Sequence, residues 1–121
     1  MIYTSYYANG KGFNNFIKMS ISLSIPARFT VDYQIREFMP TWELLSEYKN
    51  RKIDEAEYYK KYIALLDSRN LEPIVKGLQG LDKDVVLLCW EKPGNFCHRH
   101  LLAKYLNDKF KLGITELWEC C

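Results

Sequence analysis

Val85-Val86-Leu87-Leu88-Cys89-Trp90, then Glu91-Lys92-Pro93-Gly94-Asn95-Phe96, then Cys97-His98-Arg99-His100: the reading of this stretch decides the fold. Val85 to Trp90 is the longest unbroken apolar run of the chain. It is short and opens on β-branched residues, so it reads as a strand buried on both faces. Pro93, Gly94 and Asn95 are turn residues and place a loop at 91–96. From His98 the pattern is helical. Cys97, His98 and Arg99 therefore fall at a helix start, just beyond the carboxyl end of a central strand. The first turn of a helix has free N–H groups and the positive end of the dipole, which suits an anion and lowers the pKa of a thiol placed there.

The same logic extends outward. Ile2 to Ala8, rich in Tyr, Thr and Ser, reads as a first strand closed by Asn9-Gly10-Lys11-Gly12. Phe13 to Lys18 has room for a helical turn. Met19, Ile21, Leu23 and Ile25 alternate with Ser20, Ser22 and Ser24 up to Pro26. That period of two describes a strand near the sheet edge, its serine face in solvent or, as the less common alternative, turned to a ligand. Ala27 to Met39 has no clear period and reads as a loop packed on the body. Pro40 opens a helix reaching about Lys52, with Trp42, Leu45 and Tyr48 on one face and Glu47 paired to Arg51. Asp54 caps the next helix, whose stripe is Tyr59, Tyr62, Ile63 and Leu66, with Glu57 and Lys61 paired outside it. Asn70 caps a third, carrying Ile74, Val75 and Leu78 and ending at Gly80. The helix after the loop presents Leu102, Tyr105 and Leu106 and stops at Gly113. Ile114 to Trp118 supplies a last short strand.

This order implies a small single-domain α/β fold over residues 1–121: a mostly parallel sheet with helices on both faces. At 121 residues the chain is long enough for one core and too short for two ordinary domains. Its net charge of +2 lacks the strong basic bias of a dedicated nucleic-acid binder. The N-terminus has no secretory pattern, and no apolar run approaches the roughly 20 residues that span a bilayer. A cytoplasmic protein is expected, its four cysteines reduced.

In parallel sheets, ligands gather at the carboxyl ends of the strands. That edge collects Ser5, Tyr6 and Tyr7 from the first strand, Arg28 after the second, and Cys89, Glu91, Cys97, His98 and Arg99 from the central unit. The spacing Cys89-x-Glu91-x5-Cys97-His98-Arg99, with Tyr3-Thr4-Ser5-Tyr6, the Ser20–Pro26 strand and Pro40-x-Trp42, resembles the family catalogued as domain of unknown function 488. The resemblance covers most of the chain in the expected order. It implies a compact α/β fold in bacterial, archaeal and phage proteins, and Glu91, Cys97, His98 and Arg99 as the site with Cys89 and Tyr6 nearby. It implies no settled activity.

These residue types permit specific chemistry. Cys97 is the nucleophile candidate, Glu91 and His98 the acid/base candidates, and Arg99 the bidentate partner of a phosphate or carboxylate. Ser5, Tyr6, Arg28 and Cys89 complete the ligand-binding set. The six-residue anion cradle of cysteine phosphatases is absent, because Arg99 lies two residues from Cys97 and ten from Cys89. Each residue also has a plain structural role: a packed thiol, a loop–helix ion pair, a histidine bonded to a carbonyl. Cys89, Cys97, His98 and His100 are metal-ligand types, with Cys120 and Cys121 able to return from the terminus, but no C-x2-C or H-x3-H pair is present, so no metal and no cofactor is assigned. The partner expected is an anionic small molecule, a phosphate-bearing nucleotide or nucleoside. Two functions fit: a thiol-dependent enzyme acting on that ligand, or a non-catalytic module that binds a nucleotide or, through its tyrosines and basic residues, nucleic acid. Oligomeric state is not encoded.

Overall fold

The structure, a computed structural model, describes residues 1–8, 13–90 and 97–117. At its centre is β4 (Val85–Cys89), every residue of which is buried, as an all-apolar strand requires. On one side β4 pairs in parallel with β1 (Ile2–Tyr6), from Ile2 opposite Val85 to Tyr6 opposite Cys89. On its other side it pairs with β2 (Ile17–Ser20), from Ile17 opposite Val85 to Ser20 opposite Leu88. Short strands β3 (Tyr33–Gln34) and β5 (Thr115–Glu116) close the edges, giving a parallel sheet of order β3-β2-β4-β1-β5. The fold is the small α/β domain expected from the sequence.

Four α-helices accompany the sheet among the described residues: α1 (Trp42–Lys49), α2 (Glu55–Asp67), α3 (Glu72–Gln79) and α4 (His98–Phe110). All four send buried residues into one core with Val85, Leu87 and Cys89, including Leu44, Tyr62, Leu66, Val75 and Leu102. The opposite face, where Val86 and Leu88 point, is closed by Tyr7, Phe13, Phe16, Phe29, Val31 and Leu117. The helices expected on both faces thus gather on one, and aromatic side chains from the connections cover the other. That cover is dense enough to leave Val86 and Leu88 fully buried.

Local signals explain most element boundaries. Thr41 caps α1 by accepting from the Leu44 N–H at 3.1 Å, so the helix starts at Trp42, two residues past Pro40. Asp54 caps α2 by accepting from the Glu57 N–H at 2.9 Å. In α2 the inward residues are Tyr58, Tyr62 and Leu66; Tyr59 faces outward. Leu71, not Asn70, precedes α3 and makes no side-chain cap, while Pro73 fills its first turn. Glu47 binds Lys61 at 3.2 Å and so ties α1 to α2, where the sequence pairs both residues within their own helices. Lys111 ends α4 in the left-handed region, and Gly113 follows at φ +70°.

The serine segment differs most from its reading. Only Ile17–Ser20 is strand, and it lies beside the central strand. Ser20 and Ser22 are buried, each bonded to the Tyr7 hydroxyl, at 2.7 and 2.5 Å. Alternation is the same whether the polar face meets water or one buried phenol. In the 27–39 segment the structure has β3 and a single 3₁₀ turn at Arg36–Phe38, which buries Phe38 against α2. Phe13 to Lys18 forms a turn leading into β2 rather than a helix. The turns expected at 9–12 and 93–95 lie outside the described residues, as does Trp118. Among the described residues no helix is long and apolar enough to cross a membrane.

Candidate functional site

The carboxyl ends of β2 and β4 and the start of α4 converge on a cavity of about 480 Å³. That is the size of a small-molecule site. Cys89 ends β4, Cys97 precedes α4 as its N-cap, and His98 is its first residue. These three are nearly inaccessible, at 4%, 5% and 6% exposure, and form the floor. Helix α1 supplies one wall with Trp42, Leu45 and Tyr48, and Tyr58 of α2 lines the cavity with them. Ser22, Leu23 and Ser24 supply the opposite wall. At the rim are Trp42, 62% exposed, Trp90, 47% exposed, and the exposed Lys49. The Trp90 indole N–H is held by the Ser24 carbonyl at 2.9 Å.

The floor is a cluster of sulfur and imidazole. The Cys89 and Cys97 sulfurs face each other, with their Cα atoms 7.4 Å apart, beyond the roughly 4.4–6.8 Å of an ordinary disulfide. The sequence, which predicts separate reduced thiols, does not show this closeness: the end of β4 and the N-cap of α4 direct both side chains to one point. Beside them, His98 Nδ1 lies 3.6 Å from the Cys89 sulfur. His98 Nε2 lies 2.6 Å from the Ile21 carbonyl. A carbonyl only accepts, so Nε2 carries the hydrogen and Nδ1 presents a lone pair to the sulfur. Burial pushes the His98 pKa down to about 4, against the opposing bond to Ile21, and the ring is neutral at neutral pH. Burial also lowers His100, assisted by the Arg99 charge.

Arg99 has a different place from the one its sequence position suggests. It is fully buried and grips Glu116 of β5, with Nε 3.1 and 3.2 Å from the two carboxylate oxygens and Nη2 at 2.9 Å. Thr4 of β1 donates to the same carboxylate at 2.6 Å. The Arg99 guanidinium also lies 5.8 Å from the centre of the Tyr6 ring. The pair locks α4 to the far edge of the sheet and does not line the cavity. Ser5 is buried and donates to the Leu117 carbonyl at 2.9 Å. Arg28 is exposed in the turn after β2, at φ +69°. Tyr6, Ser5 and Arg28 are thus separate from the cavity, and Glu91 lies outside the described residues.

Of the residues singled out from the sequence, the structure brings Cys89, Cys97 and His98 together at one cavity. The aromatic wall was missed. Trp42, Leu45 and Tyr48 were legible as one helical face, but a helical stripe reads first as core. Glu116 carried no signal, since nothing along the chain connects it to Arg99 seventeen residues earlier.

The family model described as the active DUF488-N3 subclade matches residues 8–110. Neither a curated protein nor a solved structure matches the chain.

Proposed function

The chain belongs to the domain of unknown function 488 family, within its DUF488-N3 branch, and from the geometry of its site we propose that it is an enzyme acting on a nucleoside- or nucleotide-like small molecule. One observation carries this reading: a cavity of about 480 Å³ whose walls are Trp42, Tyr48, Tyr58 and Trp90 and whose floor is a buried sulfur–imidazole cluster. Flat aromatic walls take a flat heteroaromatic ring, by stacking contributing about 1–3 kcal/mol per base. Lys49 at the rim supplies a cation for a phosphate or carboxylate outside the ring pocket. It takes the role that Arg99, committed to Glu116, does not have. The chemistry belongs to the floor. In the dithiol form Cys97, at the start of α4, is the nucleophile candidate, since the helix start favours its thiolate. The matched subclade is described as active, which favours an enzyme over a passive binder.

The test is a titration of nucleosides and their mono-, di- and triphosphates, followed by the fluorescence of Trp42 and Trp90. Trp42→Ala is expected to weaken binding on the order of tenfold. Lys49→Ala is expected to weaken the phosphorylated members and leave the nucleosides unchanged. Cys97→Ser is expected to abolish turnover while the ring still binds. If no member of the series binds, or Trp42→Ala binds as wild type does, the reading is wrong. Binding without turnover by the reduced wild type would leave the non-catalytic module in its place.

A further inference from the structure

The floor of the cavity has a property that neither a disulfide nor a packed histidine needs. His98 is fixed by the Ile21 carbonyl at 2.6 Å so that its hydrogen sits on Nε2 and its Nδ1 lone pair points at the Cys89 sulfur. In the reduced protein the Cys89 thiol is the partner of this lone pair, and both groups are buried. The ligating atoms of Cys89, Cys97 and His98 all lie within 4.8 Å of one another, and all three residues are buried.

The Cys89–His98 edge matches one kind of partner. A tetrahedral zinc ion has Zn–S of about 2.3 Å and Zn–N of about 2.0–2.1 Å, which sets the sulfur-to-nitrogen edge at about 3.6 Å. The Cys89 sulfur and His98 Nδ1 are 3.6 Å apart. A histidine that donates its other ring N–H to a backbone carbonyl is also the usual outer support of a metal ligand, because that bond fixes tautomer and ring orientation. Charge is consistent too. Two buried thiolates and one divalent cation sum to zero, while the adjacent Arg99 is already neutralised by Glu116.

We propose that Cys89, Cys97 and His98, in the reduced protein, form a three-ligand site for a thiophilic divalent cation, zinc above all, with its fourth position open to the cavity. Two cysteines, one histidine and one free position make the donor set of a catalytic rather than a structural zinc site. The site deepens the cavity reading and rests on it only for what occupies the fourth position, a water or a ligand heteroatom. With the ion bound, Cys97 would serve as a ligand and the ion would supply an activated water, so the nucleophile role of Cys97 belongs to the metal-free dithiol. Formation of the site balances in two steps. A dithiol reductant passes two electrons and two protons to the S–S bond, giving two thiols, and ends as its own disulfide. The ion then displaces the two thiol protons to solvent and forms two sulfur–metal bonds and one bond to Nδ1.

The spacing rules for zinc miss this site because Cys89 and Cys97 lie eight residues apart, one at the end of β4 and the other at the N-cap of α4.

The experiment is a titration of the reduced, reductant-free full chain with Co²⁺, read by absorption, with the oxidised chain in parallel. The expected result is one equivalent bound per reduced chain, with a thiolate-to-cobalt charge-transfer band, the intense visible bands of four-coordinate Co²⁺, and bleaching by one equivalent of Zn²⁺. The oxidised chain gives no spectrum. Cys97→Ser and His98→Ala are each expected to lower affinity by more than the roughly 100-fold that losing an outer-shell partner costs. The Cys120→Ser/Cys121→Ser double variant keeps the spectrum. Absence of the spectrum from the reduced wild type overturns the proposal, and so does its survival in Cys97→Ser or its loss in the tail variant alone. Should a floor variant fail to fold, the reduced and oxidised wild type decide by themselves. Nucleoside binding measured with a chelator present tests the cavity without the ion, so the two readings fail separately.

Discussion

Arg99 shows how far a single side chain can be read from its neighbours in sequence. Next to Cys97 and at a helix start, it has every mark of an anion-binding arginine. In the structure it is fully buried against Glu116, a carboxylate only 10% exposed. Removing one partner of such a pair leaves an uncompensated charge in the interior, at a cost of about 3–5 kcal/mol. Glu116→Ala should therefore lower the urea unfolding free energy by that amount. A change below about 1 kcal/mol would mean that water reaches Arg99. Its role was illegible because the partner lies on β5, and only the strand order β4-β1-β5 brings that carboxylate to α4. The thiols have the same lesson. Composition and the missing secretory pattern argued for separate reduced cysteines, whereas the distance between a strand end and a helix cap is a property of the packed layers.

Among the elements, α1 decides most. Its face of Trp42, Leu45 and Tyr48 was legible from spacing alone, and so were α4, β4 and the Asp54 cap of α2. The use of that face as a cavity wall was not. Periodicity reports that a face is apolar and is silent on whether it meets a core or a ligand. The helix is eight residues long, too short to persist in water without its packing and its cap. Thr41→Ala removes the bond to the Leu44 N–H and should cost about 1 kcal/mol. Because the helix carries the wall, the same change should also weaken nucleoside binding, whereas Asp54→Ala in α2 should cost similar stability with less effect on binding. Equal losses of binding in both variants would show that α1 is not the element that shapes the cavity.

For the whole molecule, alkaline pH is the condition to which the core is exposed. Tyr58, which lines the cavity, and Tyr62 are both buried, and burial, with smaller electrostatic contributions from neighbouring tyrosines, raises both phenols above their ordinary value of 10.0. Tyr62 donates to the Phe38 carbonyl at 2.6 Å, a bond that only the neutral phenol makes. A raised folded pKa contributes stability that is present below 10.0 and is lost as pH rises past it, because the unfolded chain ionises first. Denaturant midpoints should fall steeply above about pH 10, and Tyr62→Phe should flatten the slope. A midpoint that holds level there would contradict the burial of both rings.

The sheet order has a kinetic side as well. β1 is the first strand of the chain, yet its neighbours are β4 and β5, with Tyr3 opposite Thr115 and Thr4 opposite Glu116. Every one of its pairings waits for the second half of the polypeptide. Pairings of such high contact order close slowly, and synthesis proceeds at roughly 5–20 residues per second. During translation β1 is therefore an orphan edge, held for seconds without a ladder. Its four hydroxyl-bearing residues, Tyr3, Thr4, Ser5 and Tyr6, make that wait less hazardous than an all-aliphatic strand would, since such a segment is a poorer template for association with a second nascent chain.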